Sequence, residues 1–263
     1  MKTVIMAGGA GTRLAEETSV RPKPMVEIGG RPILWHIMMH YSYYKHNEFV
    51  IALGYKGEYI KKYFADYCAL HGNLTVHLGN GNNRVEQHDH RHAPWEIKLI
   101  ETGVETLTGG RLKRLQDYVG DETFLYTLGD GLSNVNLDDL LAFHRKHGKL
   151  ATVTAVQPPA RYGYLRLEGD QVTQFEEKPQ QTDDLINGGF MVLEPKIFDY
   201  IDGDQVMFEG PVMEQLAKEG ELVAYRHEGF WACMDTLRDK MRLQEMWESQ
   251  EGPPWVMYNP SNG

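Results

Sequence analysis

Met6-Ala7-Gly8-Gly9-Ala10-Gly11-Thr12-Arg13-Leu14, followed shortly by Pro22-Lys23-Pro24, decides how this chain is read. The stretch continues a short strand that begins at the second residue and carries the apolar run Thr3-Val4-Ile5-Met6. Gly8, Gly9 and Gly11 make a loop almost without side chains. Such a loop can lay backbone N–H groups on phosphate oxygens and accept positive φ while doing so. Arg13 adds a cation able to fork onto phosphate, and Lys23 adds a point charge. A backbone nest flanked by two cations suits a polyphosphate, so the first expectation is a nucleoside triphosphate site.

Two familiar glycine loops do not fit. The dinucleotide fingerprint requires Gly-x-Gly-x-x-Gly, and Gly9-Ala10-Gly11-Thr12-Arg13-Leu14 ends in leucine. The next strand, Phe49 to Leu53, runs into Gly54-Tyr55 and offers no carboxylate to a ribose. The Walker loop requires Gly-Lys-Ser/Thr opening a helix, and none follows. The plainer alternative is a surface turn for which glycine is merely convenient.

Strands are expected at 2–6, 48–53, 74–78, 96–101 and 123–128, and helices near 32–45, 57–70, 110–118 and 137–147. This alternation implies an α/β fold, a mostly parallel mixed sheet flanked by helices, with ligands beyond the carboxyl ends of its strands. Strands at 150–157, 162–167, 171–176, 188–193 and 221–227 and helices at 195–201, 210–219 and 236–249 continue the pattern. Residues 79–95 are polar and carry Gly-Asn-Gly-Asn-Asn, which reads as a long excursion that could close as a lid. Gly252-Pro253-Pro254 ends the last helix and leaves an extended tail at 252–263. With no repeat and no low-complexity linker, residues 1–263 are expected to form one domain.

A formal net charge of −10 argues against nucleic-acid or anionic-membrane partners, so clustered Arg and Lys become informative. No apolar run approaches bilayer length, and the amino terminus is too short and too broken by glycine for a signal peptide. The two cysteines, Cys68 and Cys233, read as reduced thiols, and a cytoplasmic enzyme is expected.

Asp130 follows the apolar strand Phe124-Leu125-Tyr126-Thr127-Leu128 between Gly129 and Gly131, and Asp235 follows Trp231-Ala232-Cys233-Met234. Two hard carboxylates at strand ends suit Mg²⁺, which takes one or two carboxylates beside substrate phosphates. Asp130 is equally suited to a turn, and Asp235 to a helix N-cap. Thr108-Gly109-Gly110-Arg111-Leu112-Lys113-Arg114 reads as the start of a helix with three cations, which a solvated basic face would also explain. His88, His90 and His92 alternate within the polar excursion, but nothing nearby completes a metal site.

The glycine stretch and Pro22-Lys23-Pro24-Met25 resemble the signature of the sugar-1-phosphate nucleotidyltransferases. Ala15-Glu16-Glu17-Thr18 and Met25-Val26-Glu27-Ile28-Gly29-Gly30-Arg31-Pro32 look like that family's glucose-1-phosphate cytidylyltransferase branch. The resemblance implies a Rossmann-like, GT-A-like nucleotide-diphosphosugar transferase fold. It also implies Mg²⁺-dependent formation of CDP-glucose from CTP and glucose 1-phosphate, for bacterial surface polysaccharides with dideoxy sugars. Arg13 and Lys23 would be catalytic. Met6, Ala7, Gly8, Gly9, Ala10, Gly11, Thr12, Arg13, Lys23, Thr106, Arg111 and Gly129 would bind the nucleotide. Asp130 and Asp235 would hold the metal. Lys178 of Glu177-Lys178-Pro179, with Asn187 and Gly188, would hold the sugar phosphate, and a homo-oligomer, a hexamer, is implied. The choice of CTP over UTP or dTTP rests on the resemblance alone. A glycosyltransferase and a catalytically silent homologue are the other readings; the first lacks an Asp-x-Asp motif here, and the second would be expected to have lost Arg13, Lys23, Asp130 or Asp235.

Overall fold

Seven strands form the central sheet: Lys2–Met6 (β1), Glu48–Leu53 (β2), Glu96–Glu101 (β3), Phe124–Leu128 (β4), Ala151–Val156 (β5), Ile186–Leu193 (β6) and Leu222–His227 (β7). Their spatial order is β7-β5-β6-β4-β1-β2-β3. All run parallel except β6, which is antiparallel to β4 and β5. The computed structural model describes residues 1–79, 83–87, 94–158, 163–177 and 184–257.

The inner strands are apolar on both faces because both are covered. Ile5, Phe49, Ile51, Leu125 and Val192 face one buried cluster with the helix Ile33–Tyr43. Val4, Val50, Phe124, Tyr126 and Met191 face the other, with Phe198, Phe208 and Leu216. The period-2 alternation of the strands thus divides one apolar sequence between two cores. Helices Ile33–Tyr43 and Gly57–Ala65 carry the chain from β1 to β2 and from β2 to β3. The carboxyl ends of these strands consequently share one edge, where the glycine loop and Gly129-Asp130 both lie.

Several expected elements are subdivided. The helix expected at 57–70 is broken at Asp66 into Gly57–Ala65 and Tyr67–His71, and the one at 110–118 becomes Thr108–Arg114 and Gln116–Val119. The turn at Pro195–Tyr200 is 3-10, and an irregular turn around Pro211 precedes the helix Met213–Lys218. Within the 79–95 excursion, Arg84–Gln87 folds back antiparallel on Leu74–His77. A second ribbon pairs Tyr164–Glu168 with Gln171–Glu176. Both ribbons carry exposed apolar side chains, among them Val76, Val85, Leu165, Leu167 and Phe175. His88, His90, His92 and Lys178 lie outside the described residues. No helix among the described residues is long and apolar enough to cross a membrane.

The tail beyond Gly252-Pro253-Pro254 does not trail away at once. Trp255 is buried and tilts against Phe230, and its indole N–H donates to His36 Nδ1 at 3.5 Å. His36 Nε2 in turn donates to the Ile28 carbonyl at 2.9 Å, so both ring nitrogens are used in the neutral form. Burial holds His36 and the neighbouring His40 down to about 4. A histidine held below its unfolded value near 6.5 stabilises the fold fully above that value and progressively less as pH falls toward the folded one. Acidification from pH 7 to pH 5 is therefore expected to cost about 2 kcal/mol per histidine. The urea midpoint should drop accordingly; equal midpoints at pH 7 and pH 5 would contradict this.

Candidate active site

The glycine loop follows β1 and is anchored where β1 meets its neighbours. Ala7 N–H donates to the Ala52 carbonyl at 3.0 Å, and the Gly8 carbonyl accepts from Tyr55 N–H at 3.1 Å. The amides of Gly8, Gly9, Ala10 and Gly11 donate to no carbonyl among the described residues. Four backbone donors in a row therefore remain for an anion. Gly11 has φ +61°, and a Cβ there would come within 2.9 Å of Thr18 Cγ2 and 3.1 Å of Lys23 Cβ. Glycine is needed at that position both for its backbone and for its lack of bulk. The Thr18 hydroxyl donates to the Gly11 and Leu14 carbonyls and closes the loop from behind.

A cavity of about 490 Å³ opens over this loop. Its wall includes every residue from Met6 to Arg13, together with Lys23, Thr106, Arg111, Gly129, Asp130 and Asp235. The proposed nucleotide and metal residues are thus brought into one cleft from five separate stretches of chain. Asn187 and Gly188 stand apart from it at the start of β6, Asn187 exposed and Gly188 buried. The Asn187 side chain accepts from Gly189 N–H at 2.8 Å, and the Gly188 carbonyl accepts from Trp231 Nε1–H at 2.7 Å.

Asp130 and Asp235 are placed by a short ladder. Gly131–Ser133 pairs antiparallel with Trp231–Cys233, with Gly131 opposite Cys233. Met234 N–H extends the pairing to the Asp130 carbonyl at 2.9 Å. Two carboxylates far apart in sequence therefore flank one point. The helix Leu237–Glu248 is capped by Thr236, which exchanges hydrogen bonds with Asp239, so Asp235 is not its N-cap.

Lys23 Nζ donates to Asp130 Oδ2 and Asp235 Oδ1, each at 2.6 Å, and Arg13 Nη1 donates to Asp235 Oδ2 at 2.9 Å. Burial opposes the Lys23 charge, but the two carboxylates outweigh it and the pKa of Lys23 is raised. Cys233 brings its sulfur near the same carboxylates; ligand atoms of Asp130, Cys233 and Asp235 all lie within 4.8 Å of one another. Burial, then the Asp130 charge, pushes the Cys233 thiol far above its ordinary value, so the donors on offer are carboxylate oxygens. That donor set fits a hard divalent cation.

Arg111 is not on a solvated basic face. It is buried, and its guanidinium donates to the Leu53, Gly103 and Val104 carbonyls and to the Thr102 hydroxyl at 2.6–3.1 Å. It also floors the glycine loop, because a Cβ on Gly8 would lie 2.3 Å from Arg111 Nη1. Burial, then the charge of Arg114, lowers its pKa. The sequence reading missed Glu209, whose carboxylate accepts from the Thr108 hydroxyl at 2.5 Å and the Tyr126 hydroxyl at 2.7 Å. Thr108 lines the cavity, so Glu209 ties the start of the helix Thr108–Arg114 to β4. Met207, also on the wall, comes from the same segment. Neither is signalled by any local motif.

The model of a family described as nucleotidyl transferase matches residues 2–239. Glucose-1-phosphate cytidylyltransferases of Salmonella typhi and Salmonella typhimurium are each 50% identical to the chain over 254 residues, 96% of this chain and 98% of theirs. Among solved structures, a UDP-glucose pyrophosphorylase complexed with UDP-glucose superposes with a TM-score of 0.67 at 18% identity, covering 94% of this chain and 97% of the other. That likeness concerns the fold.

Proposed function

Since the chain belongs to the nucleotidyl transferase family, we propose that it joins CTP and glucose 1-phosphate to give CDP-glucose and pyrophosphate. The observation that carries this reading is the cleft holding Arg13, Lys23, the Asp130–Asp235 pair and four loop amides that bond to no carbonyl among the described residues. The half-identity to cytidylyltransferases over nearly the whole chain supports the choice of base and sugar.

In the reaction a phosphate oxygen of the sugar phosphate forms a bond to the α-phosphorus of the triphosphate, and the bond to the bridging α–β oxygen breaks. A phosphate monoester is already ionised near neutral pH, so no general base is required. The obstacle is repulsion between two polyanions, and positioning with charge neutralisation answers it. The loop amides and Arg13 are suited to the β- and γ-phosphates and so to the departing pyrophosphate. Lys23 is suited to the reacting phosphates. Asp130 and Asp235 would hold a divalent cation, Mg²⁺ by the hardness of the donors, which when bound offsets phosphate charge. Lys178, Asn187 and Gly188 are assigned to the sugar phosphate by resemblance.

Pyrophosphate release with glucose 1-phosphate and Mg²⁺ should be fastest with CTP among CTP, UTP, dTTP, ATP and GTP, and should stop when the sugar phosphate is omitted. A preference for UTP or dTTP would retain the site and overturn the product. We also infer a homo-oligomer, supported by the apolar side chains exposed on both antiparallel ribbons. Light scattering should give a multiple of 30.1 kDa, and a mass equal to one chain would end that inference.

A further inference from the structure

Lys23 does more than stand near the paired carboxylates. Its ammonium lies between them, 2.6 Å from Asp130 Oδ2 and 2.6 Å from Asp235 Oδ1. The second oxygen of Asp235 is held by Arg13 at 2.9 Å, so both oxygens of that carboxylate already face a cation. A divalent cation drawing one oxygen from each carboxylate has to enter the same space. Two positive centres there repel strongly, because the side chains are largely withdrawn from water, with Lys23 only 12% exposed.

The backbone under Lys23 is fixed, whereas its ammonium reaches the carboxylates through a stem of rotatable bonds. Lys23 opens the 3-10 turn Lys23–Met25 between Pro22 and Pro24, and Pro24 and Met25 are buried. The lysine stem then runs along the glycine loop: a Cβ on Gly11 would lie 3.1 Å from Lys23 Cβ. The same flexible stem can therefore present its ammonium either to the carboxylates or to an anion on the loop amides, by rotation of side-chain bonds alone. Building on the nucleotidyl-transfer reading above, we propose that the Lys23 ammonium and the divalent cation exclude each other from the space between Asp130 and Asp235. Without nucleotide the cation has to displace the ammonium and binds weakly; a triphosphate on the glycine loop draws Lys23 onto its own oxygens and the cation then binds more tightly. Metal and nucleotide then bind with positive coupling, and the same lysine that serves the phosphates keeps metal binding weak until they arrive.

The test is Mn²⁺ binding without nucleotide, followed by electron paramagnetic resonance of the free ion, for the parent chain and for Lys23→Met, Asp130→Asn and Asp235→Asn. Lys23→Met is expected to bind Mn²⁺ roughly tenfold more tightly than the parent, although it should be a poor enzyme. The two Asn variants are expected to lose that binding. Lys23→Met binding no more tightly than the parent, or as little as the Asn variants, overturns the exclusion. Parent-like Mn²⁺ binding in both Asn variants would instead remove Asp130 and Asp235 from the metal assignment, a separate failure. A second readout uses the unaltered protein and so survives any misfolding of the lysine variant. Without nucleotide, acetylation of Lys23 by acetic anhydride, read by mass spectrometry, should rise several-fold at Mn²⁺ concentrations high enough to force the ion between the carboxylates, and an unchanged rate at saturating Mn²⁺ overturns the proposal.

Discussion

Replacing Asp235 with alanine is expected to lower kcat by roughly a thousandfold or more while leaving the melting temperature within about 3 °C of the parent. The separation of the two effects follows from where Asp235 sits. The carboxylate bonds to Lys23 and Arg13 across the cleft, whereas Thr236 and Asp239 cap the helix that begins beside it. The variant loses one of two cation ligands, Arg13 loses its carboxylate partner, and Lys23 keeps only the Asp130 acceptor. Helix Leu237–Glu248 keeps its capping box, and the Asp235 backbone N–H keeps its bond to Asp239 at 3.1 Å. Steady-state pyrophosphate release and a thermal melt on the same sample decide the matter. Near-parent, Mg²⁺-dependent turnover would take Asp235 out of the reaction.

Arg111→Met is expected to act in the opposite proportion, costing about 3 kcal/mol of stability along with activity. Three backbone carbonyls and one hydroxyl lose their shared donor, and the methionine offers none in return. The Leu53 carbonyl retains only the Thr102 donors, while those of Gly103 and Val104 belong to the loop that walls the cavity. Arg111→Lys should recover little, since a single ammonium cannot fork to four acceptors. Chemical denaturation is the direct check. A loss below about 0.5 kcal/mol would show the loop to be held by something else.

Much of this architecture was readable before any coordinates. Apolar runs located β1 and β2 to the residue, because burial on both faces leaves little ambiguity about where a strand stops, and the half-buried edge strand β3 was found between its flanking glutamates Glu96 and Glu101. The loop from Met6 to Arg13 pointed to a phosphate cradle by local chemistry, and the fold sets that whole loop on the wall of the cavity. What could not be read was pairing across sequence. Nothing near Asp130 says that Cys233 will lie opposite Gly131 and bring Asp235 alongside. Nothing in Thr108-Gly109-Gly110-Arg111 says that the arginine turns inward onto carbonyls contributed by Leu53, Gly103 and Val104. Glu209 was invisible for the same reason: its partners, Thr108 and Tyr126, belong to two other elements. The sugar side rests on resemblance alone, because Asn187-Gly188-Gly189 reads equally well as an ordinary start to a strand.

The contact between Trp255 and His36 has a consequence in time. The indole that covers His36 is added to the growing chain 219 residues after it. At typical rates of synthesis, that interval is roughly 10–45 s. Once the helix Ile33–Tyr43 has left the exit tunnel, it waits for most of that interval with one side of its pocket uncovered, however early β1 and β2 find each other. The nascent protein therefore presents an unsealed apolar flank until the segment carrying Trp255 emerges, and that flank is where a chaperone would find purchase.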